Sequence, residues 1–228
     1  MSTERNAAHA PTLVLVCKRP ALGHGKQRLA SGIGAGRALL IAERLLDCAL
    51  EDLADWPGPV VIAPDRAEAA AWASVRAPHA TCLTQDSGNL GERLNALDRS
   101  LRRLGHRQLA FIGSDAPALT ASDYQRVLQA LAEQDTVLLA ARDGGVVLMA
   151  SNRPWPDLAG LPWSSASLGE ALANACRKAG HSLAICGESF DIDEQTDLAL
   201  ALQALADDPR PARRRLLQTL REHGGTTP

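Results

Sequence analysis

Short apolar runs alternate along the chain with longer segments in which leucine and alanine recur at helical spacing. Runs typical of buried strands occupy residues 12–17, 60–63, 109–112, 136–141, 146–150 and 182–186, with a weaker candidate at 81–83. Helical spacing occupies residues 34–55, 65–75, 90–104, 120–133, 167–179, 194–206 and 211–223. This alternation predicts a mostly parallel sheet covered by helices. The segment between residues 141 and 146 is too short for a helical crossover, so we expect one antiparallel pairing at an edge.

The order of elements predicts an α/β fold: a single-domain, three-layer α/β/α sandwich around a mixed sheet of the Rossmann-like type. We expect a flexible N-terminus at residues 1–10, the domain itself at 11–207, and a basic C-terminal helix and tail at 208–228. A cluster of arginines in the last segment is expected on a solvated helix face: Arg210, Arg213, Arg214, Arg215 and Arg221.

Composition narrows the class of protein. A formal net charge of -2 over 228 residues gives no general attraction for nucleic acid, and few aromatic residues are available to stack on bases. Five cysteines lack the spacing of zinc sites or redox pairs, which favours a reducing compartment. With neither a signal peptide nor a long apolar span, we expect a cytoplasmic protein with no nucleic-acid or membrane partner.

A basic, glycine-containing segment directly follows the first predicted strand. Its candidate phosphate-binding residues are Lys18, Arg19, Gly23, Lys26 and Arg28. Ligands of open α/β sheets bind beyond the carboxyl ends of the strands, where glycine lets the backbone approach a phosphate and cations neutralise its charge. A solvated surface loop is the alternative, but the position after a buried strand favours phosphate binding. The spacing is not that of a P-loop.

Carboxylates follow two further strands. Asp115 lies in the segment Gly-Ser-Asp-Ala-Pro after residues 109–112, where it could hold a hard divalent ion against phosphate oxygens, or simply close a turn. Asp191 and Asp193 follow the last strand, and a local turn is needed if both are to bind a metal. Asp193 is equally expected as a helix N-cap.

Two glycine-containing segments are weaker candidates. Gly91 and Glu92 could present backbone amides from a helix N-terminus, although Glu92 could equally complement the helix dipole. Asp143, Gly144 and Gly145 read by default as a tight turn. The histidines lack metal-ligand spacing, and no G-x-S-x-G elbow is present, which disfavours hydrolase chemistry.

Together these segments resemble small transferases of GT-A type in the nucleotide-diphospho-sugar transferase superfamily, and more narrowly the radical-SAM and selenodomain-associated transferase group, related to 2-phospholactate guanylyltransferase. The matching segments, spread over about residues 12–205, are Lys18 to Leu29, Gly88 to Arg93, Ile112 to Pro117, Asp143 to Gly145, Trp163-Ser164 and Asp191 to Asp193. The sequence departs from that group at Gln27, where threonine is usual, and at Val146, where tyrosine is usual.

The resemblance implies a metal-dependent transferase with a nucleotide or nucleotide-sugar donor and a small acceptor. Lys26 and Asp115 would be catalytic, and Mg²⁺ or Mn²⁺ would be held by Asp115 and Asp193, with Asp191 as a third candidate ligand. The acceptor side would comprise Asp143, Gly144, Gly145, Trp163 and Ser164. Glycosyl transfer, nucleotidyl transfer and, given Gln27 and Val146, nucleotide binding without catalysis all remain open. The oligomeric state is not predicted.

Overall fold

A computed structural model of the protein describes residues 10–223, so the expected flexible N-terminus before residue 10 and the tail after residue 223 lie outside the described residues. The strands are β1 Thr12–Cys17, β2 Val60–Pro64, β3 Thr81–Cys82, β4 Leu109–Ile112, β5 Thr136–Ala141, β6 Val146–Ser151 and β7 Leu183–Ser189. The helices are α1 Gln27–Ile33, α2 Ala35–Asp55, α3 Ala70–Arg76, α4 Leu90–Arg103, α5 Ala121–Leu131, α6 Leu168–Lys178, α7 Asp197–Ala204 and α8 Pro211–His223. A 3₁₀ turn, Ala67–Ala69, precedes α3.

The strands form one seven-stranded sheet in the order β3-β2-β1-β4-β6-β5-β7. Only β6 runs against its neighbours, because it pairs antiparallel with both β4 and β5 while the other pairings are parallel. The predicted antiparallel pairing is therefore present, but its placement at an edge was wrong, since β6 lies inside the sheet. Because of these directions, the carboxyl ends of six strands and the amino end of β6 lie at the same end of the sheet, which we call its carboxyl edge.

Helices cover both faces of the sheet, which confirms the predicted single-domain α/β/α fold. One face packs against α2, α3 and α5 through a core that includes Leu15, Leu46 and Val127. The other face packs against α4 and α6 through a core that includes Val14 and Leu97. A third apolar cluster joins α1 and α2 to the C-terminal helices α7 and α8.

Two local predictions were wrong. Helical spacing was predicted to begin only at residue 34, but a further helix, α1, begins at Gln27, and its Leu29 is fully buried in the third apolar cluster. Arg213 was expected on a solvated face of α8, yet it is fully buried. Its guanidinium donates to both carboxylate oxygens of Asp52 at 2.8 and 2.7 Å, to Glu51 at 3.0 Å, and to the backbone carbonyls of Cys48 and Pro117.

Within residues 10–223, no helix is both long and apolar enough to cross a membrane. All five cysteines are unpaired. Burial raises the pKa of the Cys17 and Cys48 thiols to about 12, so these side chains behave as small buried apolar groups rather than as nucleophiles.

Candidate functional site

A cavity of about 590 Å³ opens at the carboxyl edge of the sheet. This volume is within the usual range for small-molecule sites. Ten of the residues singled out in the sequence line it: Lys18, Lys26, Arg28, Asp115, Asp143, Gly145, Trp163, Ser164, Asp191 and Asp193. The topology explains the convergence, because the segments after β1, β4 and β7 and the hairpin between β5 and β6 all emerge at this edge.

The ammonium group of Lys26 lies between two carboxylates that are distant in sequence. Its Nζ donates to Asp193 Oδ1 at 2.6 Å and to Asp115 Oδ2 at 3.1 Å. Burial alone would lower the pKa of Lys26, but the two carboxylates outweigh that effect and raise it. Asp193 also accepts from Arg28 at 2.8 Å. The N-cap of α7 is Thr196, so the alternative prediction that Asp193 caps this helix was wrong.

Local packing holds Asp115 next to the segment after β7. The backbone amide of Ile192 donates to the carbonyl of Asp115 at 2.9 Å and ties the two segments together. Ile192 is fully buried while Asp191 and Asp193, on either side of it, both line the cavity. The local turn predicted for this pair is not formed, because residues 191–193 belong to no turn or helix, and both carboxylates nevertheless line the cavity. Gly113 leaves room for Asp115, since a Cβ there would lie 2.6 Å from Asp115 Oδ1.

Asp191 lies among other acidic side chains in the cavity. Burial, followed by the neighbouring charges of Asp115, Asp193 and Asp143, raises its pKa to about 6. By contrast, burial alone would raise the pKa of Asp193, but Lys26 and Arg28 outweigh it and lower the pKa. The cluster thus keeps Asp193 ionised while Asp191 takes up a proton just below neutral pH.

These carboxylates fit a divalent cation only in part. Among residues 10–223, no three or more His, Cys, Asp or Glu side chains form a ready-made metal-binding group. However, one oxygen of Asp115 and one of Asp193 converge on a single cationic point, now held by Lys26 Nζ. Mg²⁺ commonly takes one or two carboxylates and completes its coordination with waters and substrate phosphates, so this donor pair suits such an ion.

The remaining basic residues after β1 differ in their placement. Lys18 is exposed and lines the cavity, whereas Arg19 and Gly23 do not line it. The side chain of Gln27, which departs from the usual threonine, donates from Nε2 to the carbonyl of Gly23 at 2.7 Å and closes the loop. Gly23 has a φ of 72°, a left-handed conformation that glycine adopts without strain. Gly23 therefore shapes this loop rather than lining the cavity.

Gly91 and Glu92 have structural contacts and lie outside the cavity lining. Asn89 and Glu92 form a capping box at the start of α4, with both reciprocal hydrogen bonds present, so the Glu92 amide is already paired. A Cβ at Gly91 would lie 2.0 Å from the carbonyl oxygen of Leu158 and 2.7 Å from Trp163 Nε1. Glycine is thus required here so that the segment carrying Trp163 can pack on the helix.

Within the predicted acceptor side, residues 143–145 form the turn between β5 and β6, and this turn packs against Ala166. One oxygen of Asp143 accepts from the amide of Gly145 at 2.9 Å, which closes the turn between β5 and β6. Gly144, with a φ of 90°, does not line the cavity, and a Cβ there would lie 2.0 Å from the carbonyl of Ala166. Trp163 donates from Nε1 to the Leu158 carbonyl at 2.9 Å and presents its ring to the cavity.

Gln85 and Arg93 are among the polar cavity residues that were not predicted as site residues. Gln85 is 6% exposed and donates to the carbonyls of Cys17 and Ala63, while its Oε1 has no partner. Arg93 lines the cavity with a buried, unpartnered Nε. Both follow the weak strand β3, whose two residues gave little warning that a functional segment begins there. For Gln85 the available signal was a polar residue after a strand, whereas Arg93 lies in the segment Gly88 to Arg93 that resembles the transferase group.

Known structures share this fold. A protein from Desulfovibrio desulfuricans G20 described as a proposed nucleotide-diphospho-sugar transferase aligns with a TM-score of 0.80 at 22% identity, covering 92% of this chain and 94% of its own. A cytidylyltransferase from Leptospira borgpetersenii serovar Hardjo-bovis (strain JB197) aligns at 0.53 and 10% identity, covering 96% and 99%. A 4-diphosphocytidyl-2C-methyl-D-erythritol synthase aligns at 0.53 and 14% identity, covering 86% and 98%. At these identities the similarity establishes the fold alone.

No curated protein matches the sequence significantly. A family model does match at residues 46–165, which include β2 to β6 and the segments that carry Asp115, Asp143 and Trp163. This match covers more than half of the chain, and the protein therefore belongs to DUF2064, a family described as an uncharacterized protein conserved in bacteria.

Proposed function

We propose that the protein is a metal-dependent transferase that takes a nucleotide or nucleotide-sugar donor, with Asp115 and Asp193 as metal ligands and Asp191 beside them. The convergence of Asp115 and Asp193 on Lys26 at the carboxyl edge of the sheet carries this proposal. Few structural roles would require two carboxylates and a buried ammonium at the mouth of a cavity, whereas donor phosphates require a cationic environment of this kind.

The cationic residues would bind the donor. Lys18 is exposed at the cavity and Arg28 lies beside Asp193, so both can reach a phosphate group at its rim. Lys26 would exchange its carboxylate partners for donor phosphate oxygens. A divalent ion at the carboxylates would draw negative charge from the leaving phosphate. The role of Lys26 is then to hold and neutralise that phosphate as its charge develops.

Glycosyl transfer from a nucleotide sugar is the leading reaction, and nucleotidyl transfer is the second candidate. The second is favoured by two of the proteins with the same fold, which are described as a cytidylyltransferase and a diphosphocytidyl-methylerythritol synthase. The two reactions differ in which bond breaks. Cleavage between sugar and phosphate releases a nucleoside diphosphate, and attack on the α-phosphorus of a nucleoside triphosphate releases pyrophosphate.

Calorimetric titration tests donor binding. Nucleoside triphosphates and nucleotide sugars are titrated into the protein with and without Mn²⁺. We expect Mn²⁺ to strengthen binding of at least one donor, and Asp115→Asn to abolish that gain while the fold, followed by circular dichroism, is unchanged. Asp207→Asn removes an exposed carboxylate outside the cavity and should behave like the unsubstituted protein. Metal-independent binding in both variants would refute the metal assignment.

Lys26→Met tests the role of the lysine in the same titration. Loss of the competing ammonium should let Mn²⁺ alone bind more tightly, while donor binding weakens. Lys178→Met, an exposed lysine on α6, is the matched control. Chromatographic product analysis then identifies the reaction through release of nucleoside diphosphate or pyrophosphate. Tight donor binding with neither product would identify a nucleotide-binding protein without catalysis.

A further inference from the structure

Arg93 is an isolated cation inside the cavity. Its side chain is half-buried, lines the cavity and makes no hydrogen bond or ion pair with any residue between 10 and 223. In this described part of the chain, the buried Nε has no acceptor. Lys26 and Arg28, which line the same cavity, are both paired with carboxylates. Burial of an unpaired guanidinium nitrogen opposes folding, and an anion bound there would compensate for this cost.

Arg93 shares the cavity with a group of apolar side chains. Leu90 and Leu94 flank it on α4 and line the cavity, and Val16, Phe111, Val146 and Trp163 belong to the same apolar cluster and also line it. We call these six residues the apolar chamber. Leu90 and Arg93 are three positions apart on the helix, so their side chains lie on one face. The chamber therefore offers apolar walls and one forked cationic donor.

The apolar chamber belongs to the cluster on one face of the sheet. Helix α4 packs on the sheet face that α6 also covers, whereas α1, which Lys26 precedes, packs with α2, α7 and α8. One cavity is lined both by the chamber with Arg93 and by the carboxylate cluster. Arg93 forms no ion pair with the carboxylates that hold Lys26 and Arg28, so a donor phosphate bound at those two residues leaves the Arg93 guanidinium for another anion.

From this arrangement we infer that Arg93 binds an oxyanion, either a carboxylate or a phosphate, on an acceptor whose remaining part is apolar and contacts the chamber. This inference rests on the proposed transferase function. The planar guanidinium presents two parallel donors that match the two oxygens of such a group. The acceptor class is then a small, amphipathic acid.

The test uses small probes and needs neither nucleotide nor metal. Benzoate and phenyl phosphate carry the two oxyanions on an apolar ring, and benzamide and benzyl alcohol are their uncharged counterparts. In calorimetric titrations of the full chain, we expect at least one charged probe to bind about tenfold or more tightly than the uncharged ones. The tighter of the two charged probes distinguishes a carboxylate from a phosphate acceptor.

Substitution then assigns the effect to Arg93. Arg93→Met should remove the preference for the charged probe and leave binding of the uncharged probes unchanged, and Arg93→Lys should retain part of it. Arg99→Met, on the same helix but outside this cavity, should keep the full preference. Removal of an unpaired cation should not lower the melting temperature of Arg93→Met, so a lost signal cannot be attributed to unfolding.

The outcomes are decisive in either direction. Equal binding of charged and uncharged probes, no binding of either charged probe, or a preference that persists in Arg93→Met would each overturn the inference. Because the probes contain no nucleotide, failure of this experiment leaves the donor titrations intact. Conversely, if the donor titrations showed no metal-dependent binding, the preference for charged probes at Arg93 would still stand.

Discussion

Arg213 is the residue whose replacement should most strongly destabilise the fold outside the cavity. Arg213→Met keeps a long apolar side chain but removes all five hydrogen bonds of the guanidinium, three of them to Asp52 and Glu51. Both carboxylates remain in place, and Asp52 is 7% exposed. Removal of one partner from a buried ion pair typically costs about 3–5 kcal/mol, because the other charge is left without compensation.

The structure places Arg213→Met toward the lower end of this range. Asp52 retains a hydrogen bond from Tyr124 at 3.0 Å and an ion pair with Arg210 at 3.2 Å, and Glu51 still accepts from the amide of Ala212 at 2.8 Å. We therefore expect the free energy of unfolding in urea to fall by about 3 kcal/mol at neutral pH. Arg214→Met, on the exposed side of the same helix, should change it by less than about 0.5 kcal/mol.

The pH dependence supplies a second signature. Burial already raises the pKa of Asp52, and Arg213 is the largest influence opposing that rise. Without Arg213 the native protein binds the Asp52 proton more readily than the unfolded chain does, so the stability of the variant should fall as pH rises. The loss should therefore be smaller in mild acid. A loss below about 1 kcal/mol at neutral pH, or one that grows on acidification, would refute the assigned role of Arg213.

Two further changes test packing and protonation. Gly91→Ala should lower the free energy of unfolding by about 1–3 kcal/mol, since the new methyl would lie 2.0 Å from the Leu158 carbonyl oxygen. Gly36→Ala is the control, because its new Cβ would have no atom within 4 Å, and it should be neutral or slightly stabilising. Equal urea midpoints for the two variants would contradict this. Burial lowers the pKa of His181 from 6.5, so the unfolded chain takes up that proton first and stability should decline as pH falls below 6.5. His181→Asn should flatten that slope in urea titrations, whereas the exposed His79→Asn should not; a slope unchanged by the first substitution would count against the argument.

The sequence predicted the alternation of strands and helices because continuous apolar runs and helical leucine spacing are strong local signals. Asp115, Lys26 and Asp193 could be placed at one edge without coordinates, since the carboxyl ends of parallel strands share that edge. The sequence alone could not predict which side chains form ion pairs at this edge. That Lys26 bridges the two aspartates depends on the fold of the loop after β1 and on the backbone hydrogen bond between Ile192 and Asp115.

Other features depended on tertiary contacts that leave no local pattern. The interior position of β6 follows from its pairing with β4, which is remote in sequence. Arg213 looks like its neighbours Arg214 and Arg215 in the sequence, and only the presence of Asp52 opposite α8 decides which of the three is buried. Arg93 lies in the segment Gly88 to Arg93 that resembles the transferase group, but only the three-dimensional structure shows that its buried Nε has no hydrogen-bond partner among the described residues.

The reversed strand β6 brings a hairpin into the lining of the cavity. This hairpin with β5 carries Asp143 and Gly145, whereas Asp115 and Asp193 follow β4 and β7. A change between residues 142 and 145 would therefore alter a part of the lining that contains neither of the two proposed metal ligands. Under the proposed function, directed evolution aimed at new acceptors can begin in this hairpin, with Gly144 kept as glycine because a Cβ there would lie 2.0 Å from the carbonyl oxygen of Ala166.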